Sequence, residues 1–129
     1  MNAIATALLR RDLPALRGCL VELRRLDDRD SYDEAVATIA GLSRRLPPPW
    51  FTSVIELWHD VVAQKPWALA LAWESANAGA DEQALIAARA AVARHGDDPI
   101  FAEELTFLSE TLAKRAKTKA KRKADAKRD

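Results

Sequence analysis

The stretch WFTSVIELWHDVVAQ, residues 50–64, is too apolar to be a helix with one buried face. Trp50, Phe51, Val54, Ile55, Leu57, Trp58, Val61 and Val62 recur at steps of three and four but also stand side by side, so their positions cover most of a helix's circumference. A helix apolar on most sides belongs in the middle of a domain, with neighbours around it. The following segment, Pro66 to about Ala78, is poorer still in polar residues, with Glu74, Ser75 and Asn77 as the clear exceptions. Two successive central helices set the expectation of an all-α fold.

Reading outward toward the N-terminus, Leu13, Leu16, Leu20 and Leu23 share a helical face, with Cys19 and Leu26 beside them. Asp12 is placed to cap that helix, and Pro14 falls in its first turn, where a missing N–H is harmless. Asn2 to Arg10 reads as a short helix before it. The run from Asp27 to Ser31 ends the leucine helix. Ser31 with Glu34 three residues on forms a capping box for the next, which buries Ala35, Val36, Ile39 and Leu42 and stops before Pro47-Pro48-Pro49.

Toward the C-terminus, Asn77-Ala78-Gly79 supplies a helix stop. Asp81 to about His95 is a helix whose Ala84, Ala88 and Ala91 allow a neighbour to come close. Gly96-Asp97-Asp98 breaks it and Pro99 starts the last, carrying Phe101, Leu105, Leu108 and Leu112 on one face. No period-two run of β-branched and aromatic residues appears. Five to six helices with short connections imply antiparallel helical hairpins.

Two stretches resemble pieces of a tetratricopeptide repeat (TPR). The first is Ser31-Tyr32-Asp33-Glu34-Ala35 with Ile39, Leu42 and Pro47. The second is Gly79, Ala84, Ala88 and Ala91, preceded by Leu71 and Ala72 and followed by Pro99, three residues late. The matching alanines, Ala35 and Ala84, lie 49 residues apart rather than one period of about 34, and the Trp–Leu-Gly–Tyr pattern of the first helix is missing. The resemblance implies a TPR-like array over about residues 13–113 that binds a peptide or protein; a compact six-helix bundle satisfies the same pattern.

At 129 residues, 49% apolar and 30% charged, the chain is expected to be one soluble globular domain that folds without metal or disulfide. Its single cysteine, Cys19, excludes an internal disulfide. No run of about 18 apolar residues is present, and Arg10 and Arg11 follow the apolar N-terminus rather than precede it, the reverse of a signal peptide. A cytoplasmic location is the expectation. The overall charge of +1 conceals an asymmetry: residues 114–129 hold nine Lys/Arg and two Asp, a net +7, leaving −6 on residues 1–113. The division is therefore a helical domain, 1–113, and a basic Lys/Ala-rich tail, 114–129, expected as a frayed helix or disordered.

Catalytic chemistry finds little footing. His59 and His95 have no partner at metal-ligand spacing, and His95 at a helix end is explained by the helix dipole. Cys19 is expected to pack against Leu16 and Leu23, with no activating base in view. The carboxylates Asp27, Asp28, Asp30, Asp33 and Glu34 read as caps and surface charge, or as an acidic patch for a basic partner. Four glycines leave no phosphate loop. The expectation is no enzyme, no cofactor and no metal.

Two features remain. Trp50, Phe51, Trp58, Trp67 and Trp73 cluster within 24 residues, and either fill the core or leave anchors for a partner; Trp50, Phe51, Trp58 and Trp67 are the candidate partner-binding residues, with Trp50 and Trp67 at helix starts. The tail cations Lys114, Arg115, Lys117, Lys119, Lys121, Arg122, Lys123, Lys127 and Arg128 are interspersed with alanine and no aromatic. The leading expectation is a non-catalytic protein–protein interaction module of adaptor, scaffold or inhibitor/immunity type, with the tail assisting electrostatically. The alternative is a nucleic-acid-associated protein whose tail holds phosphates without reading bases. No membrane is expected as a partner.

Overall fold

Asn2 opens the first helix by accepting the Ile4 N–H on its side-chain oxygen at 2.8 Å, and the chain then runs through seven α-helices. They are α1 (Ala3–Arg10), α2 (Leu13–Leu26), α3 (Arg29–Leu42), α4 (Pro48–Val61), α5 (Lys65–Asn77), α6 (Asp81–His95) and α7 (Pro99–Arg128), with a 3₁₀ turn at Ser43–Arg45. The computed structural model describes residues 2–128; the side chains of Lys65, of residues 119 and 120, and of residues 123–128 lie outside that description. The chain is all-helical, 86% helix, with no strand among the described residues. No helix there is long and apolar enough to cross a membrane.

Each helix packs on the one two places along: α1 on α3, α2 on α4, α3 on α5, α4 on α6 and α5 on α7. The pairs α1–α2, α2–α3, α5–α6 and α6–α7 also pack as consecutive neighbours. α4 occupies the middle, as its composition requires. Phe51, Val54, Ile55, Leu57, Trp58 and Val62 are all buried, in one core cluster with Leu16, Leu20 and Leu23 of α2 and Tyr32, Val36 and Ile39 of α3. On α6 the buried residues are Gln83, which donates to the Leu46 carbonyl at 3.0 Å, and Ala84, Ala87, Ala88 and Ala91, whose short side chains let α6 lie against both α4 and α5.

Several local expectations are corrected. Asp28, not Ser31, caps α3, accepting the Ser31 N–H at 3.2 Å and the Ser31 hydroxyl at 2.9 Å. The start moves back because Asp27 takes a left-handed backbone (φ 47°) that ends α2 within two residues of the new helix. α4 begins at Pro48 rather than Trp50: Pro48 and Pro49 lie inside its first turn, where no intrahelical N–H is needed. Leu13 and Leu26 are exposed (39% and 50%) rather than buried with Leu16, Leu20 and Leu23, and Cys19 is only partly covered. Among the described residues the helix count is seven, because the short α1 is complete and capped.

Candidate interaction surface

α2 carries two faces. Leu16, Leu20 and Leu23 enter the core. Ala15, Gly18, Cys19, Glu22 and Leu26, a step or two round the helix, line with Leu23 an open groove of about 600 Å³ that is bordered by Asn2, Ala3 and Ile4 of the α1 end and by Ser31, Glu34 and Ala35 of α3. The floor is made of small and apolar side chains, and the carboxylates Glu22 and Glu34 stand at its edge. Arg25 engages Glu22 through both ends of its guanidinium, Nε to Oε2 at 2.9 Å, and that hydrogen bond holds the Glu22 carboxyl below its ordinary range. Gly18 sits in mid-helix with nothing within 4 Å of where a Cβ would be.

Long-range hydrogen bonds fix the walls. Asn2 Nδ2 donates to Thr38 Oγ1 on α3 at 3.0 Å, and Trp50 Nε1 donates to the Leu8 carbonyl at 3.0 Å, tying α4 to the end of α1. At the far end Asp27 Oδ1 accepts from the Tyr32 hydroxyl (3.0 Å), Gln64 Nε2 (3.2 Å) and Arg24 (3.2 Å). The Tyr32 bond first and the Gln64 bond second hold the Asp27 carboxyl below the usual carboxylate range, while burial pushes the Tyr32 hydroxyl up. One aspartate thus joins the α2–α3 turn to the segment that follows α4.

The aromatic cluster divides. Phe51 and Trp58 are fully buried, at 0% exposure, so as candidate partner-binding residues they offer no surface; they fill the core instead. Trp58 Nε1 is buried without an acceptor among the described residues. Trp50 and Trp67 are half-covered. Trp50 is occupied by Leu8, and Trp67 stacks on Tyr32 with ring centres 5.3 Å apart. Trp73 donates to Glu104 Oε2 at 2.8 Å and leans on Phe107, which is itself 61% exposed.

Comparison with protein-family models, with curated proteins and with solved structures finds no match. The geometry therefore carries the functional argument alone.

His59 lies buried between α4 and α6, 6.3 Å from the His95 ring and beneath the Arg94–Asp60 ion pair (2.7 Å). Burial first, then the Arg94 and His95 charges, lower its pKa to about 4, which keeps the ring neutral near pH 7. No group of three or more metal-ligating side chains is assembled among the described residues.

α7 continues without a break from the packed body into the basic tail. Phe101, Leu108 and Leu112 are buried; beyond Leu112 no described residue is. Among the described residues beyond Leu112, Arg115 is the one whose side chain bonds to the body. Its Nη1 donates to the Ala76 carbonyl in the last turn of α5 and lies 3.4 Å from Asp81 Oδ1 at the start of α6. Lys114, Lys117, Lys121 and Arg122 are exposed, and Lys119, Lys123, Lys127 and Arg128 fall outside the described side chains. Sequence reasoning missed the groove because it assigned Cys19 and Leu26 to the core face, and missed the Arg115 anchor because its acceptor is a backbone carbonyl 39 residues away.

Proposed function

We propose that this chain is a non-catalytic protein-interaction module that receives a partner's apolar segment in the α1–α3 groove. The observation that carries the reading is the groove itself. It pairs a small-residue, apolar floor with a half-exposed Leu26 and a glycine that packing within the chain does not require. Glycine in mid-helix is destabilising by about 0.5–1 kcal/mol relative to alanine, so vacant space beside it favours close approach by something else. The packing of each helix on its second neighbour is compatible with a TPR-like array of helical hairpins and equally with a compact bundle, and either presents surfaces between successive elements. Adaptor, scaffold and inhibitor/immunity roles all fit this reading, and a cytoplasmic location accords with the lone, partly covered Cys19.

Affinity capture from nuclease-treated lysate of the native host tests it, using the wild-type chain, the double variant Gly18→Arg/Leu26→Glu, and a chain lacking residues 114–129. Both substituted positions face open space, so circular dichroism should show unchanged helix. The expected result is a protein retained by the wild-type and tail-less chains and lost from the double variant. Retention that ignores the groove substitutions overturns the reading.

A further inference from the structure

The basic half of α7 is a charged surface of which, among the described residues, only Arg115 bonds to the body, yet the helix runs to Arg128. Eight further cations and one carboxylate, Asp125, stand between Lys114 and Arg128. At a rise of about 1.5 Å per residue that segment is about 21 Å long, or one cation beyond Arg115 per roughly 2.6 Å. Duplex DNA carries one phosphate charge per about 1.7 Å of its axis, a comparable linear density.

The placement of these charges narrows the partner. At about 100° per residue the eight positions other than Arg115 fall on every side of the helix, leaving no sector wider than about 80° without a cation. A membrane surface calls for cations opposite an apolar face, and after Leu112 the sequence has alanine as its sole apolar residue. An acidic protein surface would engage one side. A groove walled by phosphates on both sides engages cations on opposite sides of the helix at once, and a helix about 10–12 Å across matches the major groove of B-form DNA, about 12 Å wide. The deep, narrow major groove of A-form RNA does not admit it. With no aromatic in the segment, stacking on unpaired bases is absent. The body, at −6, is repelled by DNA, so the arm alone makes contact.

We propose that residues 114–128 form a DNA-binding arm that lies in the major groove of B-form duplex and neutralises phosphates without reading sequence. Arg115, held by Ala76 and Asp81, sets the direction in which the arm leaves the body. The proposal is independent of the groove.

Fluorescence anisotropy of the full chain with a labelled mixed-sequence DNA duplex of about two helical turns tests it. With about six cations engaged, affinity should fall about 10³-fold between roughly 50 and 200 mM salt. In the triple variant Lys117→Gln, Lys121→Gln, Arg122→Gln, all at exposed positions, the fall should shrink to about 40-fold. Circular dichroism of the variant should be unchanged. A second DNA duplex of unrelated sequence should bind equally. Absence of binding at about 50 mM salt overturns the proposal. So does an unaltered salt dependence in the triple variant, or equal affinity for an RNA duplex, a single strand, polyglutamate or vesicles containing phosphatidylserine.

Discussion

The two halves of α7 are helical for different reasons. From Pro99 to Leu112 the helix exists because Phe101, Leu108 and Leu112 are buried against the body. From Ala113 onward the sequence has no buried described residue, and what favours a helix is the intrinsic propensity of alanine, lysine and arginine. A segment of about fifteen residues is marginal as an isolated helix because its first turn is unfavourable to form. Here the packed half supplies that turn, and Arg115 clamps the junction. The lesson is that, Arg115 apart, the described charges of the second half make no bond to the body, whereas the large apolar side chains that hold the first half in place are buried in it.

The largest expected effect separates packing from propensity. Trp58→Ala removes the largest fully buried side chain and should lower stability by about 3–5 kcal/mol in urea unfolding. Deleting residues 116–129 should change the same midpoint by less than about 0.5 kcal/mol. Comparable losses would mean that the extension belongs to the core and the contrast is false. Trp58→Phe should lose less than the alanine variant, because it keeps an aromatic ring in the core and leaves a smaller cavity, while removing an indole N–H that has no acceptor among the described residues.

Acid should act on the body alone. His59, depressed to about 4 from 6.5, binds its proton more readily in the unfolded chain. Stability is therefore full above pH 6.5 and falls as pH drops from 6.5 toward 4, by about 3 kcal/mol in all, then levels off. Asp27 works in a lower window: its stabilising bonds, present above the ordinary carboxylate pKa, are lost as pH falls below it. Urea midpoints at pH 7, 5.5 and 4.5 check the first; in His59→Leu the slope across that window should largely disappear. A wild-type midpoint that is flat across it would show that the ring is not held neutral.

The junction comes next in size. Arg115→Ala leaves the Ala76 carbonyl without its charged donor and Asp81 without this cation, and should cost about 1 kcal/mol in thermal or urea unfolding. Hydrogen exchange at residues 113–118 should speed up in the variant while that of α4 shifts only with global stability. Exchange in the extension that does not respond would mean that the clamp is not what orders the helix past Leu112.

How much of this was legible follows from where the information sits. α2 and α6 could be bounded from sequence, Leu13–Leu26 by the Asp12 cap and the leucine spacing, Asp81–His95 by the breakers on either side. The start of α3 was not, because Asp27, Asp28, Asp30 and Ser31 are all competent caps and the choice depends on the left-handed turn at Asp27. The central place of α4 was plain from its apolar circumference. Which of its aromatics would be covered was not: that depends on what α1, α2 and α3 present to each position, and Trp50 is covered through the carbonyl of Leu8, 42 residues away. The groove escaped for the same reason. A leucine stripe shows which face of α2 is buried but not that Ala15, Gly18 and Cys19 on the adjacent face meet nothing large.

The smallest expected effect bears on that last point. Gly18 and Gly41 are both helical, and neither has an atom within 4 Å of where a Cβ would sit, nor a positive φ that would demand glycine. Alanine at either site should therefore stabilise the chain by about 0.5–1 kcal/mol, through helix propensity and a less flexible unfolded state. Gly18 lines the groove and Gly41 does not. Equal gains in the two variants, with partner capture weakened in Gly18→Ala alone, would assign the glycine at position 18 to the partner rather than to the fold. A loss of stability in Gly18→Ala would say the reverse, that α2 needs glycine there for its own packing, and the groove would lose its best argument.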